Sequence, residues 1–165
     1  MRSEILRRYL LGIGVIAGVV LIDLLTKRWA AGSLPGRRVR VIPWLLHFTF
    51  TENSGGAFSM LQQGGALLGV VAAGAVVGLL WMLHKESATY EVVGLSMIAG
   101  GALGNLVDRI ARGDGILDGK VIDWIQFPNF PVFNVADSSV TIGVAVLIIS
   151  TWIHERRSIR IGPEE

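Results

Sequence analysis

Asp123 and Asp137 flank a short stretch rich in aromatics and prolines, and Asp137 stands at the mouth of a long apolar run. Carboxylates are costly in apolar surroundings, so two of them together point to chemistry or ion handling. Within hydrogen-bonding distance at a membrane surface, both cannot ionise cheaply. Like-charge repulsion and partial desolvation raise one pKa, and the pair shares a proton. That state suits peptide hydrolysis: the ionised partner takes a proton from attacking water while the protonated one donates to the substrate. The two titrations belong to the pair rather than to either residue. Asn134 has the spacing of an N-cap for a helix that places Asp137 in its first turn. The positive helix end favours charge on Asp137, which leaves Asp123 as the proton holder.

Other polar groups fall at helical spacing. Asp23 and Lys27 are four apart and able to pair on one face. They form either a salt bridge that makes charge tolerable within a span or part of an interior site. Asn105, Asp108 and Arg109 also share a face. An amide and a guanidinium beside a carboxylate pair fit a peptide clamp, although a helix end reaching water would carry the same residues. In sequence, Asp123 has no nearby cation except Lys120.

Rival chemistries lack their parts. His47, His84 and His154 are scattered and no H-E-x-x-H occurs, which argues against a zinc protease. Ser138 and Ser139 have no G-x-S-x-G setting. The absence of cysteine removes disulfides, thiol nucleophiles and thiolate metal sites together. No metal and no cofactor is expected.

The elements that hold these residues are apolar. Of 165 residues, 52% are hydrophobic and 17% charged, with a mean hydropathy of +0.56. That composition indicates a polytopic membrane protein. The net charge of +2 and a pI near 9.4 fit loop arginines beside anionic lipid better than nucleic-acid binding. Spans are expected over about 9–30, 64–83, 92–111 and 135–154. The basic start before the first run has the form of a signal peptide, but three further apolar segments favour an uncleaved span. Four spans put both termini on one side, and the distribution of Lys and Arg does not decide which side. Gly14/Gly18, Gly65/Gly69, Gly74/Gly78 and Gly100/Gly104 form Gly-x-x-x-Gly pairs, read as packing faces within one chain.

The loops are ordered. Residues from Trp44 to Thr51 alternate in the manner of a half-buried strand, a turn is expected at 53–56, and 57–61 suits a short helix. Asp118-Gly119 is a hairpin signal, and Pro128 and Pro131 stiffen the chain between the two aspartates. With four spans both loops lie on one membrane face, where they form a small sheet-like platform. The fold class is therefore a membrane all-α bundle with a small β platform, in a single domain over 1–165.

Five blocks resemble the lipoprotein signal peptidases, or signal peptidase II, of bacteria: Asp23-Leu24-Leu25-Thr26-Lys27, Asn53-x-Gly55-x-Ala57-Phe58, Gly100 to Arg109, Val121-Ile122-Asp123 and Phe133-Asn134-Val135-Ala136-Asp137-Ser138. Their order along four spans makes the likeness specific. The resemblance implies an aspartic endopeptidase of the bacterial cytoplasmic (inner) membrane that cuts diacylglyceryl-modified prolipoproteins on the amino side of the lipidated cysteine. It implies Asp123 and Asp137 as the catalytic pair, and Asn53, Asn105, Arg109 and Asn134 as residues that contact substrate or orient the pair. Asp23, Lys27, Asp108 and Ala136 would support them. Termini would be cytoplasmic, and the β cradle, short helix and active site would lie toward the outer face. Partners would be prolipoproteins and membrane lipids, with no nucleic acid, and the chain is expected to be a monomer. Three features depart from the family pattern: Gly56 for alanine, Trp124 for phenylalanine, and a longer loop between Arg109 and Asp123. A small carrier whose intramembrane acids relay protons or bind a cation is the competing reading. The ordered loops and the lack of an inverted repeat count against it.

Overall fold

The computed structural model describes residues 2–54, 65–85, 88–115 and 117–160. Four helices form where the apolar runs lie: α1 (Arg2–Ser33), α2 (Gly65–Lys85), α3 (Thr89–Ala111) and α4 (Val135–Arg160). Three of these are long and apolar enough to cross a membrane, over Ser3–Ser33, Thr89–Ala111 and Val135–His154. The apolar part of α2, Gly69–Leu83, is shorter. Three strands complete the fold: β1 (Val39–Ile42), β2 (Leu46–Asn53) and β3 (Val121–Gln126), in an antiparallel sheet of order β1-β2-β3. The strand expected from Trp44 begins two residues later as β2, because Leu45 closes a turn by donating its N–H to the Ile42 carbonyl.

Helix α3 is central and touches each of the other three helices. The approach to α4 is close because α3 presents glycine there. A methyl group at Gly101 would collide with the Ala136 carbonyl, and one at Gly104 would lie 3.4 Å from the Ala136 methyl of α4 and 2.7 Å from Asp23 Oδ2 of α1. Gly100 of the same stripe receives Val19 of α1. This stripe is thus an intramolecular packing face, as its spacing suggests. Gly14, Gly18, Gly74 and Gly78 are not, among the described residues: a methyl group at any of them would meet nothing of those within 4 Å. Spacing clears a helix face but does not supply a neighbour, so those expectations are corrected.

The sheet is fixed to the end of α1. Ala30 and Leu34 pack with Ile122 and Trp124, joined by Phe48, Phe50 and Val135. Trp29, Phe48 and Trp124 form three edge-to-face contacts with ring centroids 5.0–5.8 Å apart, a favourable quadrupole arrangement. Between Phe48 and Thr51 the register shifts, because β2 holds one residue more than β3 over that interval.

No hairpin forms at Asp118-Gly119. Residues 113–115 and 117–119 instead lie back over the end of α3. Gly119 donates its N–H to the Arg109 carbonyl, and the Asp118 carboxylate accepts the Gly115 N–H. Gly119 thus satisfies one of the last carbonyls of a helix rather than a strand pair, and β3 pairs with β2 across the molecule. The expected helix at 57–61 and all but the first two residues of the turn at 53–56 lie outside the described residues.

Candidate active site

Asp123 comes from the middle of β3 and Asp137 from the first turn of α4. Asn134 joins them. Its Oδ1 accepts the Asp137 N–H at 2.9 Å, and its own N–H donates to Asp137 Oδ2 at 3.2 Å. That reciprocal pair is a capping box. The Asn134 side chain then reaches away from the helix: Nδ2 donates to Asp123 Oδ1 at 2.7 Å, to Asn105 Oδ1 at 3.1 Å and to the Ile122 carbonyl at 3.3 Å. One residue therefore both caps α4 and reaches the Asp123 carboxylate.

Asn53 and Asn105 hold the outer oxygens. Thr51 is paired with Asp123 and Asn53 with Val121, so Asn53 is the diagonal neighbour of Asp123 on one face of the sheet. Its Nδ2 donates to Asp123 Oδ2 at 3.1 Å. Asn105 of α3 donates from Nδ2 to Asp137 Oδ1 at 2.8 Å. Each aspartate thus accepts two amide hydrogens, yet the two environments differ. Asp123 is 3% exposed, whereas Asp137 is partly open and sits at a helix N terminus. Burial first, and then the charge of Asp137, push the Asp123 carboxyl up to about 7, against the lowering effect of the Asn53 and Asn134 hydrogen bonds. A carboxyl in that range exchanges its proton near neutrality beside a partner where a helix terminus favours negative charge.

Behind the pair lies a fully buried cation. Lys27 Nζ stands 2.7 Å from Asp23 Oδ2, 2.9 Å from Asp108 Oδ2 and 2.8 Å from Asn105 Oδ1. An ammonium has three donors, and here three acceptors surround it. The expected Asp23–Lys27 pair is present as part of this larger set. Asp23 Oδ1 also accepts the Ala136 N–H at 2.9 Å, tying α1 to the first turn of α4. Ala136 is fully buried, its carbonyl against Gly101 and its methyl group toward Gly104 of α3.

Asp108 and Arg109 are buried, at 1% and 7% exposed, which counts against the reading of a simple interfacial helix end. Asp108 turns toward Lys27, accepts the Ile122 N–H at 3.3 Å and pairs with Arg112 Nε at 2.7 Å. Arg109 donates to the Gly119 carbonyl at 3.5 Å, within electrostatic reach of Asp123, Asp108 and Asp137. Lys120 is not the cation of Asp123. It pairs at the surface with Glu52, 3.6 Å away. Arg112 and the Ile122 amide were missed from sequence; the four-residue spacing of Asp108 and Arg112 was the available signal for the first. Among the described residues no His, Cys, Asp and Glu group is arranged to hold a metal ion.

A family model described as "Signal peptidase (SPase) II" matches residues 15–153. The lipoprotein signal peptidase of Mycobacterium avium (strain 104) is 43% identical over 144 residues, covering 87% of this chain and 79% of that protein. That of Rhodococcus jostii (strain RHA1) is 43% identical over 141 residues, covering 84% and 71%. A solved bacterial membrane enzyme superposes with a TM-score of 0.77 at 30% identity, over 93% of this chain and 92% of the other.

Proposed function

This chain belongs to the signal peptidase II family, and we propose that it removes the signal peptides of prolipoproteins as a membrane aspartic endopeptidase. The family membership and the 43% identity over most of the chain support the peptidase activity and its prolipoprotein substrates. The observation that carries the aspartic mechanism is the asymmetric pair: a buried Asp123 drawn up to about 7 and a partly open Asp137, linked through Asn134.

In the proposed reaction Asp137 is the base. It takes a proton from a water that attacks the scissile carbonyl, while Asp123 donates its proton to the carbonyl oxygen. As the resulting diol collapses, Asp137 passes the proton it took from water to the leaving amine, and Asp123 recovers one from a diol hydroxyl. Asn134, Asn105 and Asn53 hold both carboxylates against rotation, so little reorganisation accompanies the transfer. Arg109 lies where its charge stabilises the pair and the substrate backbone. Lys27, between Asp23 and Asp108, fixes Asn105 and through it Asp137. The substrate would carry a diacylglyceryl group, with cleavage on the amino side of the lipidated cysteine. The four helices would span the cytoplasmic membrane with both termini inside and the sheet at the outer face, in a monomer.

Intact mass of the product from a lipidated precursor, with the purified protein in detergent, tests this reading. A product beginning at the lipidated cysteine is expected. Cleavage at another bond, or dependence on an added metal, would contradict it.

A further inference from the structure

From Pro35 to Trp44 every residue is exposed, an unusual run for an ordered segment that includes a strand. It contains Arg37, Arg38 and Arg40, no acid, and the apolar Val39, Val41, Ile42 and Trp44. None of the three arginines has an ion-pair partner among the described residues. The sheet register shows what lies beside this run. Ile42 pairs with Leu46 and His47 with Gln126, so the β1–β2 turn and the chain leaving β3 emerge at the same end of the sheet. Two aromatic side chains from distant parts of the sequence, Trp44 at 75% and Phe130 at 58% exposure, therefore mark that one end. Residues 125–136 also contain no acid. The two acids of the sheet lie away from that end: Glu52 sits toward the other end, paired with Lys120, and Asp123 is buried in the middle of β3.

Water is a poor medium for a tryptophan, a phenylalanine and three aliphatic side chains clustered at one edge. The bilayer interface is a good one: aromatic rings sit at headgroup depth, and arginines beside them meet lipid phosphates. Trp29 gives the depth. It is a half-exposed tryptophan near the end of α1, and its ring contacts Phe48 and Trp124 of the sheet. The sheet therefore begins at the level where the first span leaves the hydrocarbon. We propose that the Trp44 and Phe130 end of the sheet, with Arg37, Arg38 and Arg40, is a docking surface for anionic phospholipid headgroups. This contact holds the sheet, and Asp123 within it, at a fixed height over the bilayer. The inference takes from the proposed function only that α1 and α4 cross the membrane.

The chain has no cysteine, so Trp44→Cys and Phe130→Cys each give a single site for a nitroxide label. Full-length protein in phosphatidylglycerol nanodiscs is compared with protein in phosphatidylcholine nanodiscs, and with Arg37→Gln/Arg38→Gln/Arg40→Gln added to each labelled variant. In anionic discs both labels should be more accessible to oxygen than to a water-soluble nickel chelate. That preference should reverse, or fall several-fold, in zwitterionic discs and in the triple-glutamine background. Labels as exposed to the chelate in anionic discs as in detergent would overturn the proposal. So would equal depth in the two lipids, and so would dipolar broadening that disappears on dilution with unlabelled protein, which would assign the face to a second copy. Cleavage of a lipidated precursor in detergent, retained by all these variants, shows that they are folded. Loss of cleavage even in the unsubstituted chain, with the lipid preference intact, would sink the peptidase reading and leave the docking surface standing.

Discussion

Asn134 donates to Asp123 at 2.7 Å from the same side chain that caps the helix carrying Asp137. The spacing of the two carboxylates is thereby set by one amide, and the two duties can be separated. Serine keeps an N-cap oxygen but has no donor long enough to span to β3. Asn134→Ser keeps the cap but leaves the buried acceptors of Nδ2 without their donor, so it should cost about 1–3 kcal/mol of stability, less than Asn134→Ala. Cleavage should fall by roughly 100-fold, the scale of a small misplacement of a catalytic group. Asn134→Ala should lose both. Equal activity for the serine variant and the parent would show that the bridge to Asp123 is not needed.

Burial of Asp123 makes folding depend on pH in a defined direction. The carboxyl titrates near 3.8 when exposed and at about 7 in the fold, so between those values the folded chain holds the extra proton. Stability should therefore fall as pH rises through that window and level off above about 7. Asp123→Asn removes the titration. Melting curves in detergent across the window should show the variant gaining on the parent as pH rises. Parallel curves would contradict the assignment of the proton to Asp123.

Lys27 neutralises two buried acids at once, with Asp23 and Asp108 within 2.9 Å. Lys27→Met leaves Asp23 uncompensated and Asp108 with Arg112 alone, and breaking a buried pair in this way costs about 3–5 kcal/mol. Denaturation in detergent measures it. A loss below about 1 kcal/mol, typical of an exposed pair, would mean that water reaches the cluster.

Much of this arrangement was legible in the sequence because membrane placement is a strong constraint. The apolar runs located all four helices, and the cost of acids in such surroundings singled out Asp123, Asp137 and Asp23. Local spacing also found the Asn134 cap and the Asp23–Lys27 pair, since both lie within a turn of helix. What spacing could not reach was partnership across the chain. Lys27 meets Asn105 and Asp108 only because glycines of α3 admit α1 and α4 closely. Asn53 meets Asp123 only through the register of β2 on β3. Strand β1 gave no burial pattern to read, because all its residues are exposed. Gly14, Gly18, Gly74 and Gly78 show the converse: the motif was real, and no neighbour among the described residues uses it.

The two aspartates carry the proposed chemistry, and their conservative removal is the most direct measurement. Asp123→Asn and Asp137→Asn are purified in detergent and assayed on a lipidated precursor, with melting curves to show that each is folded. Each variant should lose cleavage by a factor of at least about 100, the scale on which a general acid or base acts. Cleavage retained at the parent rate by either folded variant would contradict the aspartate pair as the catalytic centre.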